Sequence, residues 1–196
     1  METKLAIYGG KKVRETPFPN RKPFSSREEE LLIQAVRSQN LFGKSGTMVR
    51  DFEKRIANFY GASFVQSSTS GTAAIHSAIG VVNPEPGDEI ITAPITDPGS
   101  VMPILMQNAI PIFADVDPLT LNMRPDSIEA NITDRTRAII LVHLFGRPCD
   151  IAPVVRIAQK YDLILIEDCS QTHATKYEEH YAGTFGHMGC FSMQQS

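Results

Sequence analysis

Tryptophan is absent from the 196 residues, and cysteine occurs only at Cys149, Cys169 and Cys190. An odd cysteine count in no zinc-binding spacing excludes a disulfide scaffold and suits a reducing cytoplasm. Long apolar runs are missing too. The clearest, AIILV (138–142) and LILI (163–166), have strand length, far below the roughly 18 residues of a membrane span. The N-terminus, METKLAIYGGKKVRETPFP, has neither a sustained apolar stretch nor a small-residue cleavage site, so no secretory signal is expected. Several catalytic signatures are also lacking: no HExxH, no paired CxxC, no GxSxG, and no GxGxxG after a strand. FGKSGT (42–47) contains Gly-Lys-Ser, but the earlier glycine of a phosphate loop falls at Ser38 and no strand precedes it. A P-loop NTPase is thereby excluded.

What is present is a globular composition, 42% hydrophobic and 21% charged, with a formal net charge of −3. Residues 1–60 carry 12 Lys and Arg against 7 Asp and Glu, whereas residues 61–196 carry 7 against 15. The cations of the first part are scattered among acids, which reads as a solvated or subunit-docking surface and not a nucleic-acid interface.

Residues 1–24 hold Pro17, Pro19 and Pro23 and read as an extended arm. Residues 25–62 read as two helices. The first opens at a capping box, Ser25 with Glu28, and runs to about Arg37. The second covers about Met48–Tyr60, with Val49, Phe52, Ile56 and Phe59 at helical spacing.

From residue 63 to 196 the texture changes. Strands are expected at Phe64–Gln66, Glu89–Thr92, Ile110–Val116, Ala138–Val142, Leu163–Glu167 and Cys190–Met193. Helices are expected near Thr72–Val81, Ser100–Met106, Asp126–Ile132 and Ile151–Lys160. Such alternation means βαβ units: an α/β chain built on a mostly parallel sheet with flanking helices. Ligands of such sheets sit at the carboxyl ends of the strands, which selects residues 67–72, 95–100 and 168–173.

Two of these stretches carry chemistry. In SSTSGTAAIHSAIG (67–80), Ser70, Gly71 and Thr72 lie where unpaired N–H groups and the positive end of a helix dipole favour phosphate, although an ordinary N-cap gives the same pattern. In LILIEDCSQTHA (163–174), Glu167 and Asp168 end an apolar strand. A carboxylate buried there needs a cation, a metal or a protonated heterocycle, unless it is a capping or salt-bridging acid. His143, Cys149, Cys169 and His173 fit no metal-ligand spacing, so no metal site is expected. His76, on an apolar helix face, reads as packing.

Eight segments together resemble the DegT/DnrJ/EryC1/StrS family of pyridoxal-phosphate-dependent sugar and cyclitol aminotransferases. They are LAIYGGKKVR (5–14), FEKRIANFYGA (52–62), TSGTAAIHSAI (69–79), PGDEIITAP (86–94), IPIFADVDPLTLNM (110–123), RTRAIILVHLFGRP (135–148), LIEDCSQTHATKY (165–177) and GTFGHMGCFSMQQS (183–196). The resemblance implies the large domain of a fold-type-I pyridoxal-phosphate transferase, with residues 63–196 as its first part and the small C-terminal domain absent. It implies that Asp168 pairs with the ring nitrogen of pyridoxal 5′-phosphate, and that Gln171 approaches the phenolic oxygen. Gly71, Thr72 and Ser192 would hold the phosphate. Asp97 stands where the family usually stacks an aromatic residue on the ring face, so that face must be covered differently.

The family's cofactor-bearing lysine follows the QQS run, at position 197. The chain as given is therefore expected to be an N-terminal portion, inactive alone. The implied reaction transfers an amino group from glutamate or glutamine to a nucleotide-linked keto-sugar or a keto-cyclitol. Two alternatives remain: a sugar dehydratase of the same family, and a noncatalytic fragment or scaffold. The resemblance also implies a cytoplasmic homodimer, with no nucleic-acid or membrane partner.

Overall fold

The computed structural model describes residues 4–17, 24–43 and 45–194. Pro19 and Pro23 of the arm, Lys44, and the final Gln195 and Ser196 lie outside the described residues. The chain divides into two compact units, residues 1–48 and 49–196.

In the first unit a 3-10 turn, Ala6–Tyr8, interrupts the arm and ends at Gly9 in the left-handed region. Helix α1, Ser26–Arg37, starts at the expected capping box. The Ser25 side chain accepts the Arg27 N–H at 3.2 Å, and Glu28 accepts the Ser25 N–H at 2.6 Å. These bonds from Ser25 hold the Glu28 carboxyl below its ordinary pKa. No residue of α1 is buried, and Leu32, Ile33 and Val36 share one exposed face.

Helix α2, Thr47–Tyr60, begins at the boundary between the units. The second unit continues with α3, Gly71–Val82; β1, Glu89–Thr92; α4, Met102–Met106; β2, Ile110–Phe113; α5, Pro125–Ala130; β3, Thr136–Val142; α6, Ile151–Lys160; and β4, Ile164–Asp168. A two-stranded hairpin of β5, Lys176–Tyr177, and β6, His180–Tyr181, precedes β7, Met188–Cys190. Sequence pattern did not signal that hairpin, because its strands are two residues long.

The main sheet is wholly parallel, in the order β2-β1-β3-β4-β7. The connections between these parallel strands run through α4, α5 and α6, with α4 packing against α3 and α5 against α6. Strands buried on both faces read as unbroken apolar runs, and Ile139, Ile140 and Leu141 of β3 are fully buried. Helix α3 contributes Ile75, Ala78 and Ile79, and α6 contributes Ile151, Val154, Ile157 and Ala158, at the spacing of a helical stripe. At the β2 edge, Ile110 and Ala114 donate inward to Asp88 and Thr92. Pro111 lies between them in alternation, so the donor it lacks is one that would have faced outward.

Three strand expectations need correction. Phe64–Gln66 is not a strand: these residues make no backbone ladder among the described residues. The last strand is Met188–Cys190, two residues earlier than Cys190–Met193, because β4 supplies partners only for Met188, Gly189 and Cys190. Strand β2 stops at Phe113, and Val116 instead forms an isolated bridge with Met123.

Candidate active site

Glu167 and Asp168 are consecutive on β4, so pleating sends their side chains to opposite faces of the sheet. Both are buried, but their surroundings differ.

Glu167, wholly inaccessible, accepts from His143 Nε2 at 3.1 Å and from the N–H groups of Gly183, Phe185 and Gly186 at 2.7–2.8 Å. His143 Nδ1 accepts the Cys149 N–H at 3.1 Å, so Nε2 carries the ring proton and donates to Glu167. Burial is the largest single influence on Glu167 and raises its pKa. The bonds from His143, Gly186 and Gly183 together outweigh it and leave the pKa lowered.

The side chains of His143, Glu167 and Cys169 converge within 4.8 Å, a grouping that spacing alone did not suggest. Within the chain their polar atoms already have partners: both imidazole nitrogens are bonded and four donors meet the carboxylate, which makes the cluster a hydrogen-bonded structural knot. Burial raises the pKa of the Cys169 thiol. Cys149 and Cys190 are likewise pushed up to about 12 by burial, so the three thiols stay protonated at neutral pH.

Asp168 is 3% exposed. Its Oδ2 accepts from Ser100 Oγ at 2.6 Å and its Oδ1 from the Ser170 N–H at 3.0 Å. No Lys, Arg or His among the described residues forms an ion pair with it. A carboxylate so buried, with two donors and spare lone pairs, suits a cation brought from outside the chain.

The other candidate residues gather around it. Ser70 caps α3 by accepting the Ala73 N–H at 3.1 Å, leaving the N–H groups of Gly71 and Thr72 without an acceptor among the described residues. That helix start is a ready anion site. A Cβ at Gly71 would lie 2.8 Å from Ser192 Cβ and 3.0 Å from Ser170 Oγ, so Gly71 brings α3, the chain after β7 and the Asp168 loop together. Ser192 is held from behind, its carbonyl accepting from His173 Nε2 at 2.7 Å. Tyr60, Tyr181 and Phe191 pack edge-on or tilted beneath this turn.

Gln171 is exposed, and its Oε1 accepts the Phe145 N–H at 3.3 Å, which turns its amide NH₂ outward as a donor. Asp97 is exposed and caps a 3-10 turn, Pro98–Ser100, by accepting the Gly99 N–H at 2.8 Å. Gly99 in turn abuts the Thr72 hydroxyl. Thus Gly71, Thr72, Asp97, Asp168, Gln171 and Ser192 all lie at the carboxyl ends of the strands. His76 meets Gln107 Nε2 at 2.8 Å, a hydrogen bond that ties α3 to the end of α4.

Ser100 and Ser170, which hold Asp168, lie within the stretches 95–100 and 168–173 that the strand-end rule selected, but nothing in the sequence singled them out there, since serines at strand ends are common.

A helix start with open N–H groups beside a buried carboxylate without an ion pair among the described residues, both at the carboxyl ends of a parallel sheet, is the arrangement expected of the large domain of a fold-type-I pyridoxal-phosphate transferase. The solved structures agree. An aminotransferase from Psychrobacter cryohalolentis superposes with a TM-score of 0.84 at 33% identity, covering 89% of this chain and 44% of its own. E. coli GDP-4-keto-6-deoxy-D-mannose-3-dehydratase, solved with hydrated PLP, superposes at 0.80 with 26% identity, covering 87% and 45%. The chain belongs to the DegT/DnrJ/EryC1/StrS aminotransferase family, whose profile matches residues 24–196. Among curated relatives, the L-glutamine:2-deoxy-scyllo-inosose aminotransferase of Streptomyces kanamyceticus is 36% identical over 200 residues, covering 99% of this chain and 47% of that enzyme. The chain spans about half the length of the curated relatives it matches. No helix among the described residues is long and apolar enough to cross a membrane.

Proposed function

We propose that this chain is the cofactor-holding part of a pyridoxal 5′-phosphate-dependent aminotransferase acting on a keto-cyclitol or a nucleotide-linked keto-sugar, with glutamine or glutamate as the amino donor. The observation that carries this reading is Asp168, a buried carboxylate with no cationic partner among the described residues, beside the open N–H groups of Gly71 and Thr72. When bound, the cofactor supplies an electron-withdrawing heterocycle that accepts and releases the migrating amino group.

The residues present fit that group. Asp168 holds the proton on the ring nitrogen by pairing with the cation. The Gly71 and Thr72 N–H groups, the Thr72 hydroxyl and Ser192 Oγ bind the phosphate dianion at the start of α3. Gln171, oriented by Phe145, donates its amide N–H to the phenolic oxygen. Asp97 maintains the turn against Thr72 and offers no stacking surface.

Support for the cyclitol branch comes from the glutamine-dependent scyllo-inosose aminotransferases among the relatives. A homodimer accompanies this reading, and the exposed Leu32, Ile33 and Val36 of α1 suit a subunit contact. Three free buried thiols accord with a cytoplasmic setting.

The test uses the chain continued to the length of its relatives, incubated with glutamine ¹⁵N-labelled at its α-amino group and either 2-deoxy-scyllo-inosose or a nucleotide-linked 4-keto sugar. Label is expected in an aminated product, lost in D168N. Hydroxyl elimination without label transfer would favour the dehydratase, and no turnover of either substrate would favour a scaffold.

A further inference from the structure

Behind Asp168 lies a second hydroxyl. Thr96 Oγ1 and Ser100 Oγ are 2.7 Å apart, and Ser100, 1% exposed, donates its only hydroxyl proton to Asp168. Ser100 can then only accept from Thr96, so the protons of the chain Thr96→Ser100→Asp168 all point toward the carboxylate. Such a series is cooperative, each bond polarising the next. The turn that presents Ser100 is itself fixed: the Ser100 N–H donates to the Asp97 carbonyl at 3.0 Å, and the Asp97 side chain takes the Gly99 N–H.

We propose that Ser100, backed by Thr96, is a positioning residue that orients the Asp168 carboxylate and keeps the shared proton on the heterocycle nitrogen instead of on Asp168. This rests on the cofactor reading above but assigns what that reading leaves open. With Oδ2 held by Ser100 and Oδ1 by the Ser170 N–H, the carboxylate plane is set at two points, and each oxygen keeps a lone pair for a ligand. A ring lacking an aromatic partner is thereby held at its edge. Asp97, at the position where the family usually stacks an aromatic, serves by shaping the turn that delivers Ser100.

The test needs no covalent attachment. Pyridoxamine 5′-phosphate, ¹⁵N-labelled in the ring, is bound to the full chain, with affinity read by fluorescence and the proton's location by the ring ¹⁵N chemical shift at neutral pH. Wild type is expected to show a pyridinium shift. S100A is expected to bind about tenfold more weakly, the scale of one hydrogen bond to a charged group, and to move the ¹⁵N resonance toward unprotonated pyridine. S100T, which restores the hydroxyl, is expected to recover both. T96V removes only the outer donor and is expected to move both readouts in the same direction by less; if S100A does not fold, T96V alone decides.

Wild-type affinity and shift in a folded S100A, or in T96V where that variant decides, would overturn the proposal while Asp168-dependent binding leaves the cofactor reading standing. Failure of wild type to bind any better than D168N would overturn both.

Discussion

Two acids, adjacent on one strand, face opposite sides of the sheet and do opposite things. On the α6 side, Glu167 meets four donors and has no capacity left. On the α3 side, Asp168 meets two and has no ion pair among the described residues. Equal burial therefore does not mean equal role. A buried carboxylate saturated by its own chain serves the fold, and one with lone pairs to spare has room for a further donor.

Substitutions should separate the two acids. The largest effect is expected from E167A, which strands the His143 N–H and three backbone N–H groups in the interior. A loss of roughly 3–5 kcal/mol in urea unfolding is anticipated, and a well-folded E167A of unchanged midpoint would erase the contrast. D168N should do the reverse. Stability should stay within about 1 kcal/mol, while affinity for pyridoxamine 5′-phosphate drops by about 2–3 kcal/mol through loss of a charge-assisted bond. G71A adds a Cβ 2.8 Å from Ser192 Cβ. It should cost about 1–3 kcal/mol of stability by overpacking and also weaken phosphate binding, measured as the affinity ratio of pyridoxamine phosphate to pyridoxamine.

Protons sharpen the same contrast. The folded-state pKa of Glu167 lies below its unfolded value, so its contribution is fully present above the ordinary glutamate range and is lost as pH falls through the folded pKa. Unfolding free energy should therefore decline on acidification below that range, less steeply in E167Q. Equal slopes in wild type and E167Q would show that Glu167 is not a source of the acid lability. The smallest effect is expected at Phe145, which sits at φ +52° beside Gly146 at +80°, with Arg147 N–H donating to Leu144 at 3.0 Å. That two-residue turn prefers Asn-Gly. F145N should stabilise by about 0.5–1 kcal/mol, seen as a raised melting temperature.

The sequence announced that an acid pair closes an apolar strand, but not which acid faced which side. The reason is physical: a strand covered on both faces has no polar alternation, so nothing local sets its phase. Only the resemblance singled out Asp168. The capping box at Ser25 and the existence of α3 and α6 were legible because their signals span a few residues. Ser100 was not, since its partner lies 68 residues away. Phe64–Gln66 shows the same limit, because a strand exists only where a neighbour offers a ladder. The displaced β7 shows it too, its position being dictated by where β4 ends.

Pro111 carries one more implication. By removing an outward donor at the β2 margin, it makes that side a poor template for another chain. The opposite margin, at β7, has no such block among the described residues. A strand that enlarges this sheet should therefore add more readily beside β7, where the chain runs on to Ser192.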